Sequence, residues 1–349
     1  MPGPLSRESA VLSTEANAYL NSAWEKHAFN ISGLISNFYF PGNEEANELY
    51  ANLFAYGRID LPEKTQFEIV GSYTADEEPR NEPAFFFNPE STPVDQKFDL
   101  KTFLTKGIGD AAFTLRTGIQ RGIQENVRSN SGFSLRRDDE NYVLYDLRLR
   151  GSLNIGEKSN VYLEGGVNKW EFDDGADRNG FDRGSNGLHA AVGYVFNPTA
   201  SLSGEVAVGY RYQNFADARF DNLSTATLDA WVTWAATDKL NLSLVADTFF
   251  EEETNFGDAG TLSRSILFQV DHRTRDNLRL FANTLYLVED ELNQNEGVHQ
   301  TFRSSVGVNY EFKPRVVLTT QIQNERYLAG FQNGDYSANR ILSSISISR

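Results

Sequence analysis

The 349-residue sequence contains no cysteine, which removes disulfides, thiol nucleophiles and cysteine-ligated zinc from consideration. Histidine is scarce too. His27, His189, His272 and His299 share no spacing with a serine or carboxylate that would mark a triad or a metal site, so the expectation is no enzyme, no metal and no cofactor. No run approaches the eighteen or so apolar residues of a membrane helix, which excludes a helical membrane protein. Basic residues are in the minority, 32 against 48 acidic, for a net charge of −16. That balance argues against nucleic acid as a partner. The opening MPGPLSRESA has no apolar leader segment, so the sequence does not name a compartment by its address.

Apolar residues are nonetheless present, at 40% hydrophobic and 13% aromatic, and the low mean hydropathy of −0.46 reflects their dilution rather than their absence. The dilution is regular. In TATLDAWVTWAATDKLNLSLVADTFFEE (225–252) the even positions of the first half are Ala226, Leu228, Ala230, Val232 and Trp234, with Thr225, Thr227, Asp229 and Thr233 between them and Trp231 as the exception. After the turn at 237–239, Leu240, Leu242, Leu244, Ala246 and Phe250 alternate with Asn241, Ser243, Asp247 and Glu251. Side chains on a strand point alternately to opposite faces, so each arm has one apolar and one polar face. An arm of about eleven residues, at about 3.3 Å per residue and a tilt near 45°, spans roughly 25 Å, the height of the apolar band of an outer membrane.

The same pattern recurs along the chain in about seventeen segments, the first over 9–21 and the last over 338–348. Two kinds of connection alternate. Short ones fall at 24–26, 62–64, 108–110, 156–158, 197–199, 237–239, 275–277 and 313–315; longer, polar and acidic ones fall at 41–46, 76–95, 126–140, 173–184, 215–222, 252–260, 290–297 and 329–334. A soluble sandwich has no reason to sort its loops this way, whereas outer-membrane barrels have short periplasmic turns and long outer loops. The apolar face also sorts its aromatics. Tyr194, Phe196, Trp234, Tyr310 and Phe312 lie beside short turns, and Tyr73, Tyr210, Tyr212, Phe250 and Tyr286 beside long loops, as the two interfaces of a bilayer would select. The expected fold is an all-β, transmembrane antiparallel β-barrel of about 16–18 strands, occupying 1–349 as a single domain behind a tail at 1–8. An odd strand number would leave the first and last strands parallel, so either closure is unusual or an initial strand lies outside this sequence.

The combination of NSAWEKHAFNISG (21–33), GSYTADEEPRNEP (71–83), DRGSNGLHAAVGYVF (182–196), GEVAVGYRYQNFADARF (204–220), EEET (251–254) and DYSANRILSSISIS (335–348) resembles the outer-membrane family described as "putative beta-barrel porin 2". The likeness covers nearly the whole chain. It implies a barrel in the outer membrane of a Gram-negative cell, among lipid and lipopolysaccharide, often encoded near exopolysaccharide export genes and without an established substrate or catalytic residue. Family members normally carry a signal peptide and further barrel sequence upstream of the part that begins here near Glu8, and the end Ile347-Ser348-Arg349 lacks the terminal aromatic typical of barrel assembly signals.

The polar face carries charges of both signs, and Arg58, Arg116, Asp146, Arg148, Arg150, Asp229, Asp247 and Arg303 are the candidate pore-lining residues. Ions of both signs on one face need water or each other. The expectation is a porin-like channel for hydrophilic solutes, with polysaccharide among them, and the rival is a non-conducting scaffold or receptor with a loop-plugged lumen. Phe85, Phe86 and Phe87, in the longest loop, are constriction candidates, because three adjacent phenylalanines need a dry contact. Asp177-Arg178-Asn179-Gly180 resembles part of a calcium loop. Gly175 and Asn186, however, occupy the first and twelfth ligand positions, where aspartate and glutamate are needed. A solvated acidic loop fits that stretch better than divalent-ion binding.

Overall fold

The computed structural model describes residues 11–78, 89–129, 132–251, 259–292, 297–329 and 334–347. Phe85, Phe86 and Phe87 therefore lie outside the described residues. Two compact units form, one from Met1–Gly151, Glu164–Leu188 and Gln213–Arg219, the other from Ser152–Leu163, His189–Tyr212 and Phe220–Arg349.

In chain order the strands are β1 (Leu12–Asn21), β2 (Ala28–Tyr39), β3 (Glu48–Leu61), β4 (Thr65–Glu77), β5 (Val94–Ile108), β6 (Ala111–Gln124), β7 (Val127–Arg128), β8 (Ser134–Leu135), β9 (Tyr142–Gly156) and β10 (Ser159–Phe172). There follow β11 (Ser185–Thr199), β12 (Leu202–Phe215), β13 (Leu223–Thr237), β14 (Leu240–Glu251), β15 (Thr261–Arg275), β16 (Leu278–Glu291), β17 (Val298–Lys313), β18 (Val316–Leu328) and β19 (Tyr336–Ile347). β7 and β8 pair with each other within a long loop. In the first unit β1 to β6 are antiparallel neighbours in sequence order. In the second, β13 to β19 are so too.

The short turns are built by local chemistry. Glu63 and Lys64 both take φ of 54°, the left-handed pair that suits the twist of a two-residue hairpin. At the β13–β14 turn the Thr237 hydroxyl accepts from the backbone N–H of Lys239 at 3.2 Å and of Leu240 at 3.0 Å. One turn is displaced from the position expected for it. β11 runs through Asn197, Pro198 and Thr199, and the reversal comes at Ala200 and Ser201. A proline at a strand end costs little when its missing N–H is not needed for the ladder.

Alternation governs burial, but not as it does around a packed core. The apolar face is uncovered: Leu147, Leu149, Val208, Phe268, Phe302 and Val306 are all exposed. Buried apolar side chains gather instead at the long-loop ends of strands, among them Trp170, Phe215, Phe220, Leu223 and Leu262. So much contiguous exposed apolar surface is untenable in water and calls for a lipid solvent.

Phe250 departs from the outward aromatic set, being buried at 6% exposure opposite Leu262. A break in the wall lies beside it. The β13–β14 ladder runs from Thr237↔Leu240 only as far as Ala230↔Ala246, whereas β14 and β15 stay paired from Leu240↔His272 to Glu251↔Thr261. Beyond the break, side chains stand in for backbone rungs. The Thr248 hydroxyl accepts from the Leu228 N–H at 3.2 Å and lies 3.3 Å from the Leu228 carbonyl, and Arg264 donates to the Thr225 hydroxyl at 3.2 Å.

Candidate lumen-facing site

On the polar face of the first unit, four of the candidate residues come together. Arg116 on β6 approaches Asp146 on β9 at 3.7 Å, and Arg148 reaches the same carboxylate at 3.1 Å. Glu164 on β10 joins the group, 3.5 Å from Arg148 and 2.8 Å from Arg150. The charges thus form a chain across three strands in which each arginine has a carboxylate beside it. Glu164 faces inward by strand parity but is not among the pore-lining candidates, because its place between two arginines depends on strand register. Arg58 stands apart, 3.2 Å from Asp60 and opposite Glu68 in register, whose carboxylate accepts from the Tyr56 hydroxyl at 2.8 Å.

The second unit holds the other three candidates. The Asp247 carboxylate takes the Ser265 hydroxyl at 2.9 and 3.0 Å, and Asp229 accepts from the Thr248 N–H at 3.5 Å, close to the break between β13 and β14. Arg303 donates to Glu325 at 2.6 Å, a buried carboxylate that also takes the Tyr336 hydroxyl at 2.9 Å. Two further buried polar groups were not among the candidates. The Tyr162 hydroxyl meets Glu205 at 2.5 Å, and His299 lies between Glu291 at 3.1 Å and the Tyr327 hydroxyl at 2.8 Å. Trp231, the exception to alternation, faces the polar side. It heads a row of cross-strand neighbours, Trp231–Val245–Leu267–Leu285.

Arginines knit the acidic loops of the first unit. Arg137 is nearly buried and forks onto Glu78, with both nitrogens at 2.9 Å, while reaching Gln124 at 2.8 Å and Asp95 at 3.3 Å. Arg178 holds the buried Asp139 at 3.0 and 3.1 Å. The 173–184 stretch is not the solvated loop expected of it. Asp177 closes its own turn by accepting from the N–H groups of Asn179 at 2.8 Å and Phe181 at 2.9 Å, and its second oxygen takes Arg183 at 2.8 Å. The carboxylate that would have been a calcium ligand is filled by protein donors. Arg219 lies over the Phe181 ring at 3.8 Å and, from beside Asp217, holds that carboxyl well below the usual range.

The family model described as "Putative beta-barrel porin 2" matches residues 3–349. The chain belongs to this family. No curated protein sequence matches it. Among solved structures, this porin-family chain is similar to two forms of the FrpB iron transporter of Neisseria meningitidis. The F3-3 variant matches with a TM-score of 0.55 at 7% identity, over 98% of this chain and 67% of that one. The apoprotein of the F5-1 variant matches with a TM-score of 0.54 at 9% identity, over 93% and 62%. The chain therefore spans about two thirds of the length of these proteins or slightly less. At such identity the likeness fixes the fold alone. Family and fold agree on an outer-membrane type of antiparallel β-barrel with short periplasmic turns and longer outer loops.

Proposed function

We propose that this porin-family chain resides in the bacterial outer membrane, surrounded by lipid and lipopolysaccharide, and passes hydrophilic solutes through a water-filled lumen without catalysing a reaction. One observation carries the reading: away from the long-loop ends of β13 to β15, where buried residues gather, residues on both faces are exposed. Trp234 and Leu244 are exposed on the lipid side, and Asp229, Trp231, Val245 and Gln269 on the polar side. Side chains packed into a filled interior would be buried on that second face. The paired charges of Arg116, Asp146, Arg148, Arg150 and Glu164 are partly accessible as well, which suits a wetted wall.

A second reading, a closed barrel acting as surface receptor or scaffold, is favoured by the arginine-knit loops around Arg137, Arg178 and Arg183. Planar-bilayer recording separates the two. Stable single-channel currents in potassium chloride support the channel, and a folded, inserted protein that carries no current supports the closed barrel.

A further inference from the structure

One part of the polar face is unlike the rest. Across β13 to β18 a single cross-strand row reads Thr233–Ser243–Gln269–Asn283–Ser305–Gln323. Every member is a hydroxyl or a primary amide. With neighbouring strands about 4.8 Å apart, six such positions span roughly 24 Å without a formal charge. Beside the row lies a cavity of about 320 Å³ whose walls include Gln269, Asp271, Phe281, Asn283, Asn309 and Thr319.

The hydrogen bonds within this wall decide what it offers. Ser243 donates to the Gln269 carbonyl at 3.1 Å, Ser305 to that of Asn283 at 2.8 Å, and Thr319 to that of Asn309 at 2.7 Å. In each pair the hydroxyl occupies the amide oxygen, leaving the amide N–H groups as the donors presented to a ligand. Asp271 supplies a strong acceptor. Phe281 supplies an apolar ring, and its placement is built in. A Cβ at position 307 would overlap that ring and come within 2.8 Å of the Gln321 Cβ, so Gly307 is what allows the ring to lie against the neighbouring strand.

We propose that this wall is a binding subsite for neutral oligosaccharides. The ligand's chemistry is the complement of the wall's. Sugar rings carry hydroxyl and ether oxygens to accept from the amides, hydroxyls to donate to Asp271, and an apolar C–H face for Phe281. An anionic solute would find no counter-ion along the row, and an apolar one would strip water from amides and hydroxyls without replacing it. The proposal rests on the reading of the polar face as a lumen and adds the substrate class.

Saturation-transfer NMR tests it on the protein folded in a detergent without a sugar head group, using maltohexaose, cellohexaose and laminarihexaose as probes. At least one should receive saturation from the protein. Phe281→Ala should weaken its binding about tenfold, whereas Phe281→Tyr, which keeps the ring, should leave it unchanged. Asn283→Leu, close to isosteric and lacking the donor, gives a second weakening variant if Phe281→Ala does not fold. Binding of none of the three sugars, or binding indifferent to the Phe281 and Asn283 variants, overturns the subsite. Sugar binding by a protein that passes no current would retain the subsite and remove the channel. Current without sugar binding would do the reverse.

Discussion

Arg183 Nη2 lies 2.8 Å from the Asp177 carboxylate, and both side chains are 2% exposed. Removing one member of a buried pair leaves the other charge desolvated, at a cost of about 3–5 kcal/mol. Asp177→Ala should therefore loosen the 173–184 loop. Limited proteolysis of the folded protein should cut there much faster than in wild type while the barrel stays heat-modifiable on a gel. Added calcium should leave the wild-type cleavage rate unchanged, because Arg183 and two backbone N–H groups already occupy the carboxylate.

Leu242 and Ser243 are adjacent in β14 but face opposite solvents. Leu242 stands opposite Trp234 and Val270, and Ser243 opposite Thr233 and Gln269. Leu242→Arg should cost about 2–4 kcal/mol in refolding titrations against lipid vesicles, the range for a cation near the bilayer midplane. Ser243→Arg should cost much less. Equal losses would place both residues in the same environment and refute the orientation.

Ion preference should be weak and tilted toward cations by the acidic composition. Neutralising Arg148 and Arg150 removes positive charge from beside Asp146 and Glu164, and should raise cation preference in reversal-potential measurements across a salt gradient. Neutralising Asp229 and Asp247 should lower it. Both shifts should shrink as salt rises, since the screening length is about 8 Å at 0.15 M and about 3 Å at 1 M. Strong anion selectivity of the unmodified protein at low salt would contradict this picture.

Tyr162 is buried with its ring over Gly193, where an added Cβ would overlap it. Its hydroxyl is tied to Glu205, so the ring cannot move aside without losing that bond. Gly193→Ala should destabilise by about 1–3 kcal/mol. Adding Tyr162→Leu should recover part of that loss, and a double-mutant cycle in urea should report the coupling.

The barrel was legible because lipid on one side and water on the other impose a period of two, which Leu240, Leu242 and Leu244 display without help from any distant residue. What depends on register was not. Glu164 between Arg148 and Arg150, or Arg137 between Glu78 and Asp95, becomes visible only when the strands and loops are placed side by side. Phe250 was misread for a related reason. Its parity fits the outward girdle, but it is buried beside a ladder that stops at Ala230↔Ala246, and no local pattern marks that stop. Pro198 misled in another way, since a residue common in turns also serves at a strand end.

The interrupted ladder between β13 and β14 gives the wall a direction of least tensile strength. Backbone rungs share a pulling load along their length, whereas the part beyond Ala230↔Ala246 is carried by the Thr248 hydroxyl, the Asp229 carboxylate and the Arg264 guanidinium. A sheet pulled apart from its long-loop rim should tear along this line first, and the tear should arrest where the seven paired positions begin. In a force-extraction trace the β13–β14 boundary would then mark a step of its own, and Thr248→Val would lower the force at which that step appears.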